Sequence, residues 1–311
     1  MKRQELRPAE ARFKYFFQSH LRNRVAMNIA KNPIVPGEVV RIHPQVLRIT
    51  APNPGMMTGP GTNSYLIGDA AKGDLAMIDP GPDIASHIEL LNHNAGSRLR
   101  WILCTHTHQD HSPASRGVQQ ATGAKIHGYG KVPDDGRQDT LFKPDRALTN
   151  DDVVDCGTFK LRAIHTPGHA SNHLCYLLEG AGLLFTGDHV MQGSTVVISP
   201  PDGDMYEYFA SLNKLSTYEI SAFAPGHGHV IERPREEVVK LINHRLKREQ
   251  MVVDALTQAK VATLDELVPV VYADVSPKLH VPARRSLHAH LLKLARDGRV
   301  AESGERWRRV S

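Results

Sequence analysis

The sequence predicts an α+β protein, layered sheets with helices on their outer faces, followed by a small winged-helix module. Three observations carry that reading. From about residue 45, short apolar runs rich in β-branched and aromatic residues alternate with Gly, Pro and Asp turns. Helical periodicity interrupts these runs only near 83–94, 113–122 and 204–216. After Pro234 the balance reverses, and helical patterns lead into a closing hairpin. Many strands with few helices suit sheets whose outer faces the helices cover.

Taken in order, the strand-like runs are QVLRIT, SYLIG, LAMID, RWILC, AKIHG, FKLRAIH, HLCYLLE and GLLFTG, with AFA later in the chain. Residues 235–257 read as one long helix with Val239, Ile242, Leu246 and Val253 at helical spacing. The stretch TLDE forms a capping box, Thr263 capping and Glu266 three residues on, and opens a helix whose inner face is Leu264, Leu267, Val268 and Val271. A further helix over 283–297 turns Leu287, Leu291 and Leu294 inward and closes at Asp297-Gly298. RVAESGERWRRV then reads as a two-stranded tail with a Gly turn. The expected organisation is a basic extension over 1–40, a catalytic domain over 41–232, and a linker helix with the winged-helix-like domain over 233–311.

Composition narrows the class. No apolar run approaches the ~18 residues a membrane span needs. Cys104, Cys156 and Cys175 are odd in number and scattered, which argues for a reducing, cytoplasmic setting and against a thiolate metal site. The charged N-terminus lacks the apolar core of a secretory signal, though its basic, amphipathic character leaves an organelle-targeting reading beside the cytoplasmic one. The net charge of +5 is uneven: residues 1–36 hold eight Lys/Arg against two acids, and residues 232–311 hold 16 against 11. An acidic body with basic ends suits a polyanionic partner.

The chemistry lies in CTHTHQDHS, at 104–112. In an extended loop, residues two apart face the same way, so His106 and His108 can grip one ion while Asp110 and His111 reach a second. His169 in TPGH, Asp188 in TGDH and His227 in PGHG each follow a strand-like run beside a glycine. Five imidazoles and two carboxylates suit Zn²⁺, or Mn²⁺ and Fe²⁺, and are too many for one four-coordinate ion. Two ions sharing a bridging hydroxide give a nucleophile near neutral pH and positive charge for an oxyanion, so the expected reaction is hydrolysis. No GxSxG or phosphate-binding glycine loop competes with it.

THTHQDH resembles the HxHxDH motif of the metallo-β-lactamase superfamily, and HTPGHASNH, FTGDH and PGHG resemble its later motifs in order. The resemblance covers roughly residues 45–311 and implies a four-layer αββα sandwich with the metals at one edge. By resemblance, His106, His108 and His169 hold one ion. Asp110, His111 and His227 hold the other, with Asp188 bridging, so that Asp110 and Asp188 are the catalytic carboxylates. Asp79 resembles an aspartate that steadies the ligand loops, His173 matches a position of the lactamase-β-2-like branch, and Asn63 is grouped with them behind the ligands, read either as approaching the substrate or as a turn residue. The segment departs from the family where Ser112-Pro113-Ala114 replaces Gly-Gly, which affects the pocket rim. Tyr206 and Tyr208 read either as groove lining or as one core and one surface residue.

That branch includes an endoribonuclease acting on single strands, so the expected substrate is single-stranded RNA, with Arg284, Arg285, Lys293 and Arg296 contacting phosphates. The alternative is a thioester or ester hydrolase of the glyoxalase II kind, acting on a small acyl thioester. No membrane partner is expected, and a homo-oligomer is left open.

Overall fold

The computed structural model describes residues 33–69 and 72–310. The first 32 residues, and with them the targeting reading, lie outside the described residues. The first sheet runs β1 (Val39–His43), β2 (Val46–Thr50), β3 (Asn63–Ile67), β4 (Leu75–Ile78), and, after helix α1 (Ala85–Ala95), β5 (Leu99–Leu103). Helix α2 (Ser115–Thr122), β6 (Lys125–Gly128) and β7 (Arg146–Ala147) complete it in sequential order. Its first four strands are antiparallel and the rest parallel. The second sheet holds β8 (Val153–Asp155), β9 (Lys160–His165), β10 (Leu174–Leu178), β11 (Leu183–Gly187) and, after helix α3 (Met205–Lys214), β12 (Ala222–Pro225), in the order β12-β11-β10-β9-β8.

Strand alternation sorts the side chains into layers. Ile78 and Ala76 of the first sheet meet Leu161, Leu174, Tyr176 and Phe185 of the second. Their alternates Leu75 and Met77 meet Leu91 of α1 and Val118 of α2. On the far side, Leu184 and Phe223 pack against Tyr208 and Leu212 of α3. Strands buried on both faces read as continuous apolar runs, which is why LAMI and LCYLL stand out in the sequence. The result is the four-layer αββα sandwich. Two buried tyrosines bind the sheets together: Tyr65 donates to the Pro225 carbonyl at 2.7 Å and Tyr176 to the Cys104 carbonyl at 2.8 Å.

The C-terminal part comprises α4 (Pro234–Ala259), β13 (Val261–Thr263), α5 (Leu264–Val271), α6 (His280–Arg296), β14 (Val300–Ser303) and β15 (Arg306–Arg309). The capping box at Thr263 is present in both directions. Leu287, Leu291, Leu294 and Trp307 close a small core of their own.

The predicted inner face of α4 needs correction. Of the four residues read at helical spacing, Val253 is buried and Ile242 is half-buried against the core, but Val239 and Leu246 are exposed. The buried face also runs through Val238, Leu241, Arg245, Arg248, Glu249, Val252 and Leu256. Three charged residues on that face break the apolar spacing from which a helix face is read.

His87 of α1 is buried, its Nε2 3.0 Å from the Ser64 hydroxyl, and burial pulls its pKa down to about 4. Because the unfolded chain binds the proton more readily, stability falls as pH drops from about 6.5 towards 4. The loss expected from this residue is on the order of 2 kcal/mol at pH 5. Denaturant midpoints at pH 7.5 and 5 should therefore differ less in His87→Gln than in the parent; equal differences would reject the assignment.

Candidate metal centre

Each of the sequence-identified donors leaves the end of a strand. His106, His108, Asp110 and His111 follow β5, His169 follows β9, Asp188 follows β11, and His227 follows β12. Because the two sheets are stacked with these ends on one edge, the four loops converge there. Alternation within the first loop divides the labour as the spacing predicts. His106 and His108 face the centre, while Thr105 and Thr107 face the protein. Thr107 donates to Gln138 Oε1 at 2.7 Å and accepts from Asn172 Nδ2 at 2.6 Å.

All seven donors meet, in two overlapping groups. His106 Nε2 lies 2.9 Å and His169 Nε2 3.0 Å from His108 Nδ1. Asp110 Oδ2 lies 3.6 Å from His111 Nε2 and 3.3 Å from His227 Nε2. Asp188 stands between the groups: Oδ1 is 3.4 Å from His111 Nε2 and 3.3 Å from His227 Nε2, and Oδ2 is 3.6 Å from His169 Nε2. Donors at ~2.0–2.1 Å from a tetrahedral ion stand about 3.3–3.4 Å apart. The observed separations bracket that value. His111 Nε2 and Asp188 Oδ1 are moreover buried with no hydrogen-bond partner, as atoms reserved for a cation would be. Residues that could hold ions thus fall into His106/His108/His169 and Asp110/His111/His227, with His106, His111 and Asp188 also close enough to share one.

Hydrogen bonds on the outer side of the rings choose the tautomers. Asp79 is the hub. Its Oδ1 accepts the Thr105 N–H at 2.7 Å, and its Oδ2 accepts the Thr105 hydroxyl at 2.8 Å and His111 Nδ1–H at 2.9 Å. With its proton given to Asp79, the Thr105 oxygen accepts from His106 Nδ1 at 3.0 Å. His169 Nδ1 donates to the Val197 carbonyl at 2.9 Å and His227 Nδ1 to the Gly61 carbonyl at 3.2 Å. In all four rings this leaves Nε2 facing the centre. Asp79 is 1% exposed and holds a left-handed φ of 48°, so it is a buried structural ligand of the loop rather than a surface turn residue.

Electrostatics match this division. Burial and the neighbouring rings hold His106 well below the usual imidazole range, so it is neutral and ready to ligate. Burial also opposes a charge on His111 and His227, but the carboxylates around them prevail, raising His111 well above its usual value and His227 to about 10. Protons and cations compete for those two nitrogens, so metal uptake releases protons. Glycine is required where backbone passes the ligands. A Cβ on Gly226 would sit 2.8 Å from the His111 ring and 2.9 Å from Asp188 Oδ1.

The supporting residues named from sequence all lie buried behind the donors. His173 accepts the Asp188 N–H at Nε2, 3.2 Å away, and its Nδ1 is 2.9 Å from the Thr166 hydroxyl, so it fixes the Asp188 turn. Asn63 does not approach a substrate: it is fully buried, and its Nδ2 donates to the carbonyls of Pro225 at 3.0 Å and Gly228 at 2.9 Å. It clamps the turn carrying His227. Tyr208 is core and Tyr206 is surface, beneath the Arg296 guanidinium at 3.6 Å. Sequence reading passed over Thr105 and Thr107, although the TxTx alternation with histidine was their signal. It had none for the Val197 and Gly61 carbonyls.

Of the four cations expected to meet phosphates, three are occupied by the chain's own acids. Arg284 pairs with Asp265, Lys293 with Glu249 and Asp297 at 2.8 and 2.9 Å, and Arg296 with Glu207 at 3.9 Å. Arg285 alone reaches the metal cleft. That cleft, of about 260 Å³, has an apolar wall of Met57, Met191, Val196 and Pro282, and no Phe, Tyr or Trp lines it among the described residues.

Comparison with known proteins agrees with this geometry. The family model for the metallo-beta-lactamase superfamily matches residues 57–227, which contain all seven donors. The model for the beta-lactamase associated winged helix domain matches residues 263–307. The chain is 32% identical over 281 residues to the beta-lactamase-like protein 2 homolog of Drosophila melanogaster, covering 85% of this chain and 92% of the relative. It is 30% identical over 286 residues to the atrochrysone carboxyl ACP thioesterase of Aspergillus fumigatus, covering 85% of each. In fold it resembles a beta-lactamase domain protein from Burkholderia ambifaria, with a TM-score of 0.76 at 20% identity over 90% of this chain and 96% of that one.

Proposed function

The chain belongs to the metallo-beta-lactamase superfamily, a metal-dependent hydrolase by its donor set, and from that premise we propose that it is a two-zinc thioesterase. The likeness to a carrier-protein thioesterase over 85% of both chains carries this reading. The cleft supports it: an apolar wall suits an acyl chain, whereas a groove for single strands draws its affinity from aromatic stacking platforms. The occupied cations Arg284, Lys293 and Arg296 count against the phosphate contacts expected from sequence. Arg285, which no acid pairs with among the described residues, suits the anionic carrier of a thioester.

His106, His108 and His169 would hold one ion, and Asp110, His111 and His227 the other, with Asp188 shared. When bound, such a pair supplies an acidified water and an electrophile for the thioester carbonyl. The protein's part is to orient the seven donors and to keep an acceptor beside the attacking water. Asp110 is that acceptor: its side chain is 28% exposed, on the cleft side. No acid other than the ligands lines the cleft among the described residues, so no separate proton donor serves the leaving group. A thiolate, with a conjugate-acid pKa of about 8.5, departs without one, while the alkoxide of a phosphodiester calls for one.

The deciding experiment offers one zinc-loaded preparation acyl-CoA and acyl-carrier-protein thioesters, the matching oxygen esters, and single-stranded RNA. Thioester turnover with intact RNA is expected. RNA cleavage with intact thioesters would overturn the proposal and restore the nuclease reading.

A further inference from the structure

The second hydrogen bond of His169 leads out of the sandwich and into the C-terminal helices. Its acceptor, the Val197 carbonyl, belongs to the segment 196–198, which has no regular secondary structure. Both peptide units beside Val197 are held from outside. Arg245 of α4 donates through Nη2 to the Val196 carbonyl, and Ser286 of α6 accepts the Ile198 N–H at 3.4 Å. Val196, Ile198, Arg245 and Ser286 are all buried.

The cost of this arrangement is informative. Arg245 is 3% exposed, no acid pairs with it among the described residues, and its Nε is buried without a hydrogen-bond partner. Its guanidinium lies over the Tyr208 ring, 5.3 Å from the centroid. Burying an unpaired cation costs several kcal/mol, and a leucine or methionine would fill such a site without that penalty. Stability alone therefore does not account for an arginine here, but the direction of its hydrogen bond does.

We propose that Arg245 and Ser286 are positioning residues: from the C-terminal helices they fix the Val197 carbonyl, and through it the ring orientation and tautomer of the metal ligand His169. The donor group His106/His108/His169 is thus completed at His169 by helices outside the sandwich, while His106, through Thr105, and His111 depend on Asp79, and His227 on Gly61 and Asn63, all within it. This inference rests on the metal-ligand assignment but not on the thioester reading, and it survives if the substrate proves to be RNA.

Stepwise calorimetric titration of metal-free full-length protein with Zn²⁺ tests it without reference to activity. Arg245→Met is expected to weaken one of the two binding events about 10–100-fold, as loss of an outer partner does, and to leave the other unchanged. Arg245→Lys, which keeps a donor, is expected to recover part of the loss. In a His169→Ala background the same substitution should change affinity no further, because the route it acts through is gone. Ser286→Ala serves if Arg245→Met fails to fold, and should weaken the same event more mildly. A lower melting temperature with both affinities unchanged would make these residues structural only. Equal weakening of both events, or additive effects with His169→Ala, would also overturn the proposal.

Discussion

Replacing Asp188 with alanine is expected to lower hydrolytic turnover by about 10³-fold or more, with little change in far-ultraviolet circular dichroism. Among the described residues, Asp188 is the one carboxylate within reach of both donor groups, at 3.3 and 3.4 Å from His227 and His111 and 3.6 Å from His169. Electrophilic stabilisation by a correctly held metal pair is worth several kcal/mol of barrier, and ~4 kcal/mol is about 10³ in rate. The fold should survive because the contact that anchors the turn, the Asp188 N–H to His173, is a backbone one. Turnover measured beside metal content checks the result. A variant keeping a tenth of parental activity, or a parent fully active after chelation, would exclude metal-dependent hydrolysis at this site.

Asp79→Asn is expected to weaken metal binding about 10–100-fold without touching a single ligand. The carboxylate accepts from three donors: the Thr105 N–H, the Thr105 hydroxyl and His111 Nδ1–H. An amide has one oxygen, so in either orientation its NH₂ faces a donor. If it faces the Thr105 N–H, a buried bond is lost at a cost of about 1–3 kcal/mol. If it faces His111 and Thr105, the tautomers of both His111 and His106 lose their anchor. Zinc titration and thermal melting of the metal-free protein should both register the change. Unchanged zinc affinity would remove Asp79 from the support of the site.

Much of this protein was legible in its sequence, for identifiable reasons. The strands show as apolar runs because both of their faces are buried, and the capping box at Thr263 shows because it is local. The face of α4 is legible only at Ile242 and Val253, because Arg245, Arg248 and Glu249 sit on its buried side. The cations of α6 were legible as charges but not as occupied ones: Asp265, Glu249 and Glu207 reach them from other helices.

The metal centre divides in the same way. The sequence by itself determined the donor set and its chemistry, since residue type and a spacing of two in an extended loop are local properties. For His111, His169 and His227, only the tertiary structure decided which nitrogen faces the centre, by supplying a partner for the other. Those partners stand 32 residues away at Asp79 for His111, 28 at Val197 for His169, and 166 at Gly61 for His227. A histidine offers two nitrogens, and a hydrogen bond to one commits the other. That bond comes from chain brought close only by folding, so the choice cannot be read along the sequence.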